Sequence, residues 1–186
     1  MRKEKLISGE TYHLYNRGVD RNNIFFKEEN WEYFLNRLRH YFTPQTSKLL
    51  GYCLMPNHYH LLLLVKIENF GRKVMHPFTI AYTKALNRQQ NRVGPLFQGP
   101  YQFRHITSSR DLVHLSRYIH RNPIEAGFAE TPSEWAYSSY LDYLGQRKDN
   151  LVNTDLILSL FENPRSFVQF VSEAGQDALP QDLLID

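Results

Sequence analysis

At 186 residues the chain has room for one compact domain and an appendage, since single domains cluster near roughly 100–150 residues. Hydrophobic residues at 42% and aromatics at 14% supply enough apolar surface to exclude a disordered chain. The overall charge of +3 conceals an asymmetry, because residues 1–148 carry 21 Lys+Arg against 12 Asp+Glu, a net of +9, whereas residues 149–186 carry Arg165 alone against seven acids, a net of −6. A basic first part suits a polyanion such as nucleic acid, although basic surfaces also occur in proteins that bind none. The single cysteine, Cys53, excludes an intramolecular disulfide, and its apolar neighbours make it core filler. The N-terminus leads into no apolar signal core, and the longest apolar run, 61–65, is too short to span a bilayer. A cytoplasmic protein without membrane contact is expected.

In chain order, residues 11–15 have strand composition and are stopped by the turn-like Asn16-Arg17-Gly18. Trp31, Phe34, Leu35, Leu38, Tyr41 and Phe42 then follow the spacing of a helix with one buried face. Two apolar segments, 48–55 and 58–65, flank Pro56-Asn57, whose turn chemistry predicts an antiparallel hairpin. A second helix is expected from about Pro77 to Arg88, with Phe78, Ala81, Tyr82, Ala85 and Leu86 on one side. Residues 94–100 are punctuated as a loop and 101–107 read as a strand. Ser108-Ser109-Arg110-Asp111 is a helix start signal, so a third helix with the stripe Leu112, Leu115, Ile119 carries Tyr118 and stops near Pro123. This order contains the β-α-β-β-α-β of an α+β, ferredoxin-like antiparallel sheet with its helices packed on one face. Residues 1–148 form that domain. Residues 149–186 are an acidic helical extension with patterns at 154–161 and from an Asn163 cap and Pro164 to a stop at Gly175.

In a strand, alternate side chains share a face, so His58 and His60 project together. Neutral imidazole is the commonest protein metal ligand, but a histidine pair of this spacing at a strand start is more often two hydrogen-bonded or half-exposed side chains than a metal site. On the third helix Tyr118 and Asn122 lie four apart, at the edge of the apolar stripe, and can look across at the histidines. A tyrosine there can also be core packing with a wet hydroxyl. His114 and His120 read as solvated helix histidines.

His58-Tyr59-His60, with Leu54-Met55-Pro56-Asn57 before it and Leu61-Leu62-Leu63 after, resembles the histidine-hydrophobic-histidine motif of single-tyrosine transposases. More closely, the chain resembles the REP-associated tyrosine transposases. Gly18 within Asn16-Arg17-Gly18, the run Val93-Gly94-Pro95-Leu96-Phe97-Gln98-Gly99, and Ser116 to Pro123 with Ala126-Gly127 match in order and spacing over about residues 9–144. The resemblance implies a metal-dependent endonuclease and strand-transfer enzyme acting on single-stranded or hairpin DNA near short palindromes. In it Tyr118 is the nucleophile that leaves a 5′-phosphotyrosine, and His58, His60 and Asn122 hold a divalent metal, Mg²⁺ or Mn²⁺. A phenol of pKa about 10 needs a nearby cation to favour phenolate, which is the chemistry such a metal supplies.

For DNA contacts the cations considered are Arg17, Arg21, Lys84, Arg88, Arg92, Arg104, Arg110, Arg117 and Arg121, with Arg17, Arg21, Arg88, Arg92, Arg104, Arg117 and Arg121 as the candidate phosphate ligands. Tyr101 and Phe97 are candidate stacking faces for unpaired bases, and Tyr101 is the next tyrosine in line as nucleophile. The sequence departs from the resemblance at Pro100 and Gln102, where relatives commonly have basic residues. A monomer or a homodimer is compatible with all of this. Two other classes remain: a domesticated, non-catalytic binder of DNA hairpins, against which the intact His58, His60, Tyr118 and Asn122 speak, and a ferredoxin-like RNA-binding module, whose aromatic strand signature is missing. The acidic extension either competes with phosphate for the basic surface or covers the core through Phe161, Phe167, Phe170 and Val171.

Overall fold

In the computed structural model, which describes residues 5–147 and 149–173, four strands form one antiparallel sheet. They are β1 (Thr11–Arg17), β2 (Ser47–Met55), β3 (His58–Val65) and β4 (Gln102–Ile106), in the order β2-β3-β1-β4. Helix α1 (Glu28–Tyr41) joins β1 to β2, and α2 (His76–Gln89), preceded by a π-helical turn at Gly71–Met75, joins β3 to β4. This is the ferredoxin-like arrangement expected. The long helix α3 (Ser109–Glu125) follows β4, then short helices α4 (Tyr140–Tyr143) and α5 (Asp155–Leu158) and the tail helix α6 (Pro164–Ser172).

The expectation that the helices share one face holds for only two of them. Phe34 and Leu38 of α1 and Phe78, Tyr82 and Leu86 of α2 pack with Tyr12, Leu14, Tyr59, Leu61 and Leu63 on one side of the sheet. On the other, Leu115 and Ile119 of α3 pack with Leu50, Cys53, Met55 and Leu62, and the layer is completed by Tyr140, Tyr143, Ile157, Phe167 and Val171. The reason lies in β2 and β3, which are apolar at nearly every position and so must be covered on both faces. A β-bulge adds Leu50 beside Gly51 opposite Leu62, so that these two neighbours both face the α3 layer while Leu49 serves the other.

Local signals account for the helix ends. The Ser108 hydroxyl accepts from the Asp111 N–H at 3.0 Å and starts α3. Pro123 does not stop that helix, which runs two residues on to Glu125 before Gly127 turns away at φ 73°. In the extension, Asn163 Oδ1 accepts from the Ser166 N–H at 3.1 Å with Pro164 in the first turn, as expected, whereas the pattern over 154–161 yields only the single turn of α5. The stop expected at Gly175 lies outside the described residues, as does Lys148 at the expected domain boundary. Residues 149–173 are not set apart from the core, since Phe167, Val171 and Ile157 are wholly buried in it.

Along its outer edge β2 is bonded at Leu49, Leu50, Tyr52 and Leu54. Leu54 N–H donates to Tyr137 O, and Leu54 O accepts from the indole N–H of both Trp31 and Trp135 at 3.2 Å. Tyr52 exchanges bonds with Ser139, Leu50 O accepts from the Tyr143 hydroxyl, and Leu49 O accepts from Asn153 N–H.

Candidate active site

The site forms at one corner of the sheet, where β1 ends and β3 begins. The turn that launches β3 is clasped from below: Gly18 N–H donates to Asn57 O, and the N–H groups of Ile24 and Phe25 both donate to Pro56 O. Gly18 is required there, because a Cβ would lie 2.0 Å from Asn22 O. Beyond it Asp20 and Arg21 hold left-handed backbone at φ 52° and 58°, which places Arg21 O to accept from Asn57 Nδ2 at 3.3 Å. The 94–99 loop docks on the same strand end, with Gln98 N–H bonded to Arg17 O and Asn16 Nδ2 to Gly99 O. A stiff turn therefore sets the orientation of His58.

Because Asn57 Nδ2 is committed to Arg21 O, its Oδ1 faces His58 Nδ1 at 2.6 Å and requires a proton on that nitrogen. His58 Nε2 is then a lone pair, and it meets Asn122 Oδ1 at 3.1 Å. Two acceptors facing each other are relieved by a cation between them or by a turned Asn122 amide. Next to them His60 is wholly buried, its Nδ1 2.9 Å from His13 Nε2 and its Nε2 without a hydrogen-bond partner among the described residues. The rings of His58 and His60 stand perpendicular with centroids 5.0 Å apart, and the Tyr118 ring meets His60 edge-on at 5.4 Å. Desolvation by burial pulls the pKa of His58 down and that of His60 far down, so both imidazoles stand neutral at neutral pH. Arg17, cross-strand from His58, adds to the depression there, and His58 and then His13 add to it at His60.

A divalent metal fits these donors. Neutral imidazole nitrogens and an amide oxygen are donor types that a divalent cation accepts, and the buried His60 Nε2 has no hydrogen-bond partner among the described residues. No group of three or more His, Cys, Asp or Glu is placed to hold a metal among the described residues, and at this corner the donors at hand would be two imidazoles with an amide.

The other expected residues divide. Arg17 and Arg104 lie on the histidine face, Arg17 opposite His58 and Arg104 opposite His13 in the strand register, and Arg17 Nε donates to Gln98 Oε1. Arg21 lies in the turn below the site. Arg88 and Arg92 belong to the end of α2, in the opposite layer, where Arg92 bonds to Pro95 O. Arg117 and Arg121 are drawn into the tail instead: the Arg117 guanidinium lies 4.3 Å over the Phe170 ring, and Arg121 holds the carbonyls of Val171 and Ser172 and the Glu125 carboxylate. Both contacts tie α6 to α3, so these two candidate phosphate ligands are already engaged with the tail.

Three further expectations change. His120 is wholly buried, bonded to Ser139 Oγ at 2.8 Å, with burial pulling its pKa down to about 3. His114 touches Arg117 and Phe170. Phe97 is buried against Tyr59 and Tyr101 sits with Phe103 on the α2 side, so neither presents a face at the histidines. The second tyrosine on the histidine face is Tyr15, cross-strand from His60 and 5.0 Å from the His13 ring. His13 is the residue of the site that sequence reasoning missed. Its only signal was strand parity, since it shares a face with Tyr15, and its proximity to His60 depends on the β1–β3 register.

Comparison with known proteins follows the same lines. The family model described as "Transposase IS200 like" matches residues 7–122, more than half of the chain and ending on Asn122. The chain belongs to the IS200-like transposase family. A Haemophilus influenzae protein named among the REP-associated tyrosine transposases is 28% identical over 99 residues, 47% of this chain and 56% of that protein, so the chain spans little more than half of that relative's length. The structure of a REP-associated tyrosine transposase bound to a REP hairpin superposes with a TM-score of 0.60 at 16% identity, covering 83% of this chain and 89% of that one. A Deinococcus radiodurans transposase-like structure covers 65% of this chain and 97% of its own, at 20% identity and a TM-score of 0.44. Among the described residues no helix is long and apolar enough to cross a membrane.

Proposed function

We propose that this IS200-like transposase is a metal-dependent transesterase that cuts and rejoins single-stranded DNA beside REP-like hairpins, with Tyr118 as nucleophile. The observation that carries the reading is the convergence of His58 Nε2, Asn122 Oδ1, the unpartnered His60 Nε2 and the Tyr118 ring at one half-buried corner. The REP hairpin held by the structural relative supports the choice of substrate.

Tyr118 Oη attacks the scissile phosphorus, its proton passing to water. The bond to the 3′ oxygen breaks, and that oxygen takes a proton from water, leaving a 5′-phosphotyrosine and a free 3′-hydroxyl. One phosphoester is exchanged for another, so the reverse attack by a 3′-hydroxyl rejoins strands without an energy source. His58, His60 and Asn122 would hold Mg²⁺ or Mn²⁺, which when bound supplies Lewis-acid stabilisation of phenolate and of charge on the phosphate. The perpendicular His60 ring limits where the Tyr118 ring can turn, and Arg17 and Arg104 add positive charge for the incoming strand.

Single-stranded DNA carrying the palindromes that flank its own gene, incubated with Mn²⁺, yields a covalent protein–DNA adduct on a denaturing gel. Tyr118→Phe abolishes the adduct and leaves DNA affinity nearly unchanged, because only the attacking oxygen is lost. DNA binding with no adduct under any metal would instead mark a hairpin-binding protein that has lost catalysis.

A further inference from the structure

His13 lies next to the candidate metal ligands yet is too deeply buried to reach DNA. It is wholly excluded from solvent, and its Nε2 faces His60 Nδ1 at 2.9 Å with the two rings nearly coplanar at 9°. One proton lies between these nitrogens, and its position decides what His60 can do. If His13 holds it, His60 must carry its own proton on Nε2, buried without an acceptor among the described residues. If His60 holds it on Nδ1, Nε2 is a lone pair facing the site. Either arrangement leaves one ring N–H without an acceptor among the described residues, at His60 Nε2 in the first and at His13 Nδ1 in the second, so what separates them is ligation: a ligating histidine ordinarily donates its second ring N–H to an acceptor behind it.

We infer that His13 is a positioning residue which accepts the His60 Nδ1 proton, and so fixes both the tautomer and the ring angle in which His60 Nε2 ligates the metal. The inference rests on the metal site proposed above. In this role a neutral imidazole stands where a carboxylate or carbonyl is more usual. The ring is fully buried, and Arg104 stands directly across the strand from it. A neutral partner adds no negative charge to the buried cluster, whose other members are His58, Asn122 and the half-buried Tyr118.

The test is Mn²⁺ binding by calorimetry on the intact chain, with no DNA present. Wild type is expected to bind one ion and His60→Ala to lose it, and if either fails the metal site itself is wrong. With that established, His13→Phe, which keeps the ring volume but removes the acceptor, is expected to weaken Mn²⁺ by about 10- to 100-fold. His13→Gln, whose amide oxygen can accept, is expected to recover most of the loss. His13→Phe binding Mn²⁺ as wild type does would overturn the inference. A folding-independent check is ¹⁵N NMR of the metal-free wild type, with the His60 resonances assigned by their disappearance in His60→Ala. The Nδ1–H tautomer is expected at His60, and an Nε2–H tautomer there would equally overturn the role of His13.

Discussion

The two faces of the sheet are built from the same strands to different ends. Under α1 and α2 the core is a mesh of aromatic rings: Phe34 alone makes edge contacts with Phe25, Phe78 and Tyr82, with centroids 4.9 to 5.3 Å apart. Under α3 the buried set includes His13, His60, His120, Ser116, Ser138 and Ser139, several with orphaned atoms. Polar groups buried this way are expensive unless they serve a ligand or a network. The first face therefore supplies stability and the second spends some of it on a site. The second face is also completed last in the chain, since Tyr140, Tyr143, Ile157, Phe167 and Val171, which close it over α3, lie beyond the span matched by the family model.

If both faces are needed for one fold, ending the chain at Gly145 should have the largest effect. It removes Ile157, Phe167 and Val171, each wholly buried, and losing groups of that size costs about 2–5 kcal/mol apiece against a total stability of roughly 5–15 kcal/mol. The truncated chain is expected to aggregate or to show no cooperative melting transition. A truncated chain that melts like the full one would reduce the tail to decoration.

The comparison sharpens with matched single substitutions, Phe34→Ala on the first face and Phe167→Ala on the second, each expected to lower stability by about 3–5 kcal/mol in chemical denaturation. Only Phe167→Ala should also weaken Mn²⁺ binding by the chains that remain folded, because Phe167 packs in the layer that seats α3 and hence Asn122. Equal metal affinity in both variants would mean that α3 is held by the sheet alone.

Smaller in effect is Ser139→Ala. The Ser139 hydroxyl accepts from Tyr52 N–H and bonds both Tyr52 O and His120 Nε2, so its loss strands buried partners and should cost about 1–3 kcal/mol by the same measurement. No change in the denaturation midpoint would show that these partners find water.

Smallest is Arg121→Ala. Its ion pair with Glu125 is partly exposed and its other bonds go to the end of α6, so a loss of about 1 kcal/mol or less is expected. Because that guanidinium is already engaged, the salt dependence of DNA affinity should not change. A reduced slope in a log–log plot of affinity against salt would restore Arg121 to the DNA surface.

Much of this was legible in the residues. Strand parity put His58 and His60 together, Pro56-Asn57 marked the hairpin, and the Ser108 cap gave the helix that brings Asn122 to His58. What could not be seen were consequences of register and of layer. His13 meets His60 only diagonally across the β1–β3 pairing, which no spacing encodes. The double-sided burial of β2 and β3 was visible as continuous apolar runs, but which helices cover which face depends on the whole chain path. Arg117 and Arg121 looked like solvated cations because their partners, Phe170 and the end of α6, lie some fifty residues on.

The lining of β2 by Trp31, Trp135, Tyr137, Ser139, Tyr143 and Asn153 also determines how this sheet can grow. Every outward backbone group named there is taken, by two indoles, a serine, a tyrosine and neighbouring amides, so no foreign strand can pair along that side. The opposite border is β4, whose one partner strand among the described residues is β1. Any added strand, from a second copy or from a misfolded chain, must therefore enter beside Arg104 and His105. Charged and ionisable side chains there act as gatekeepers, and self-association through the sheet can run in one direction only.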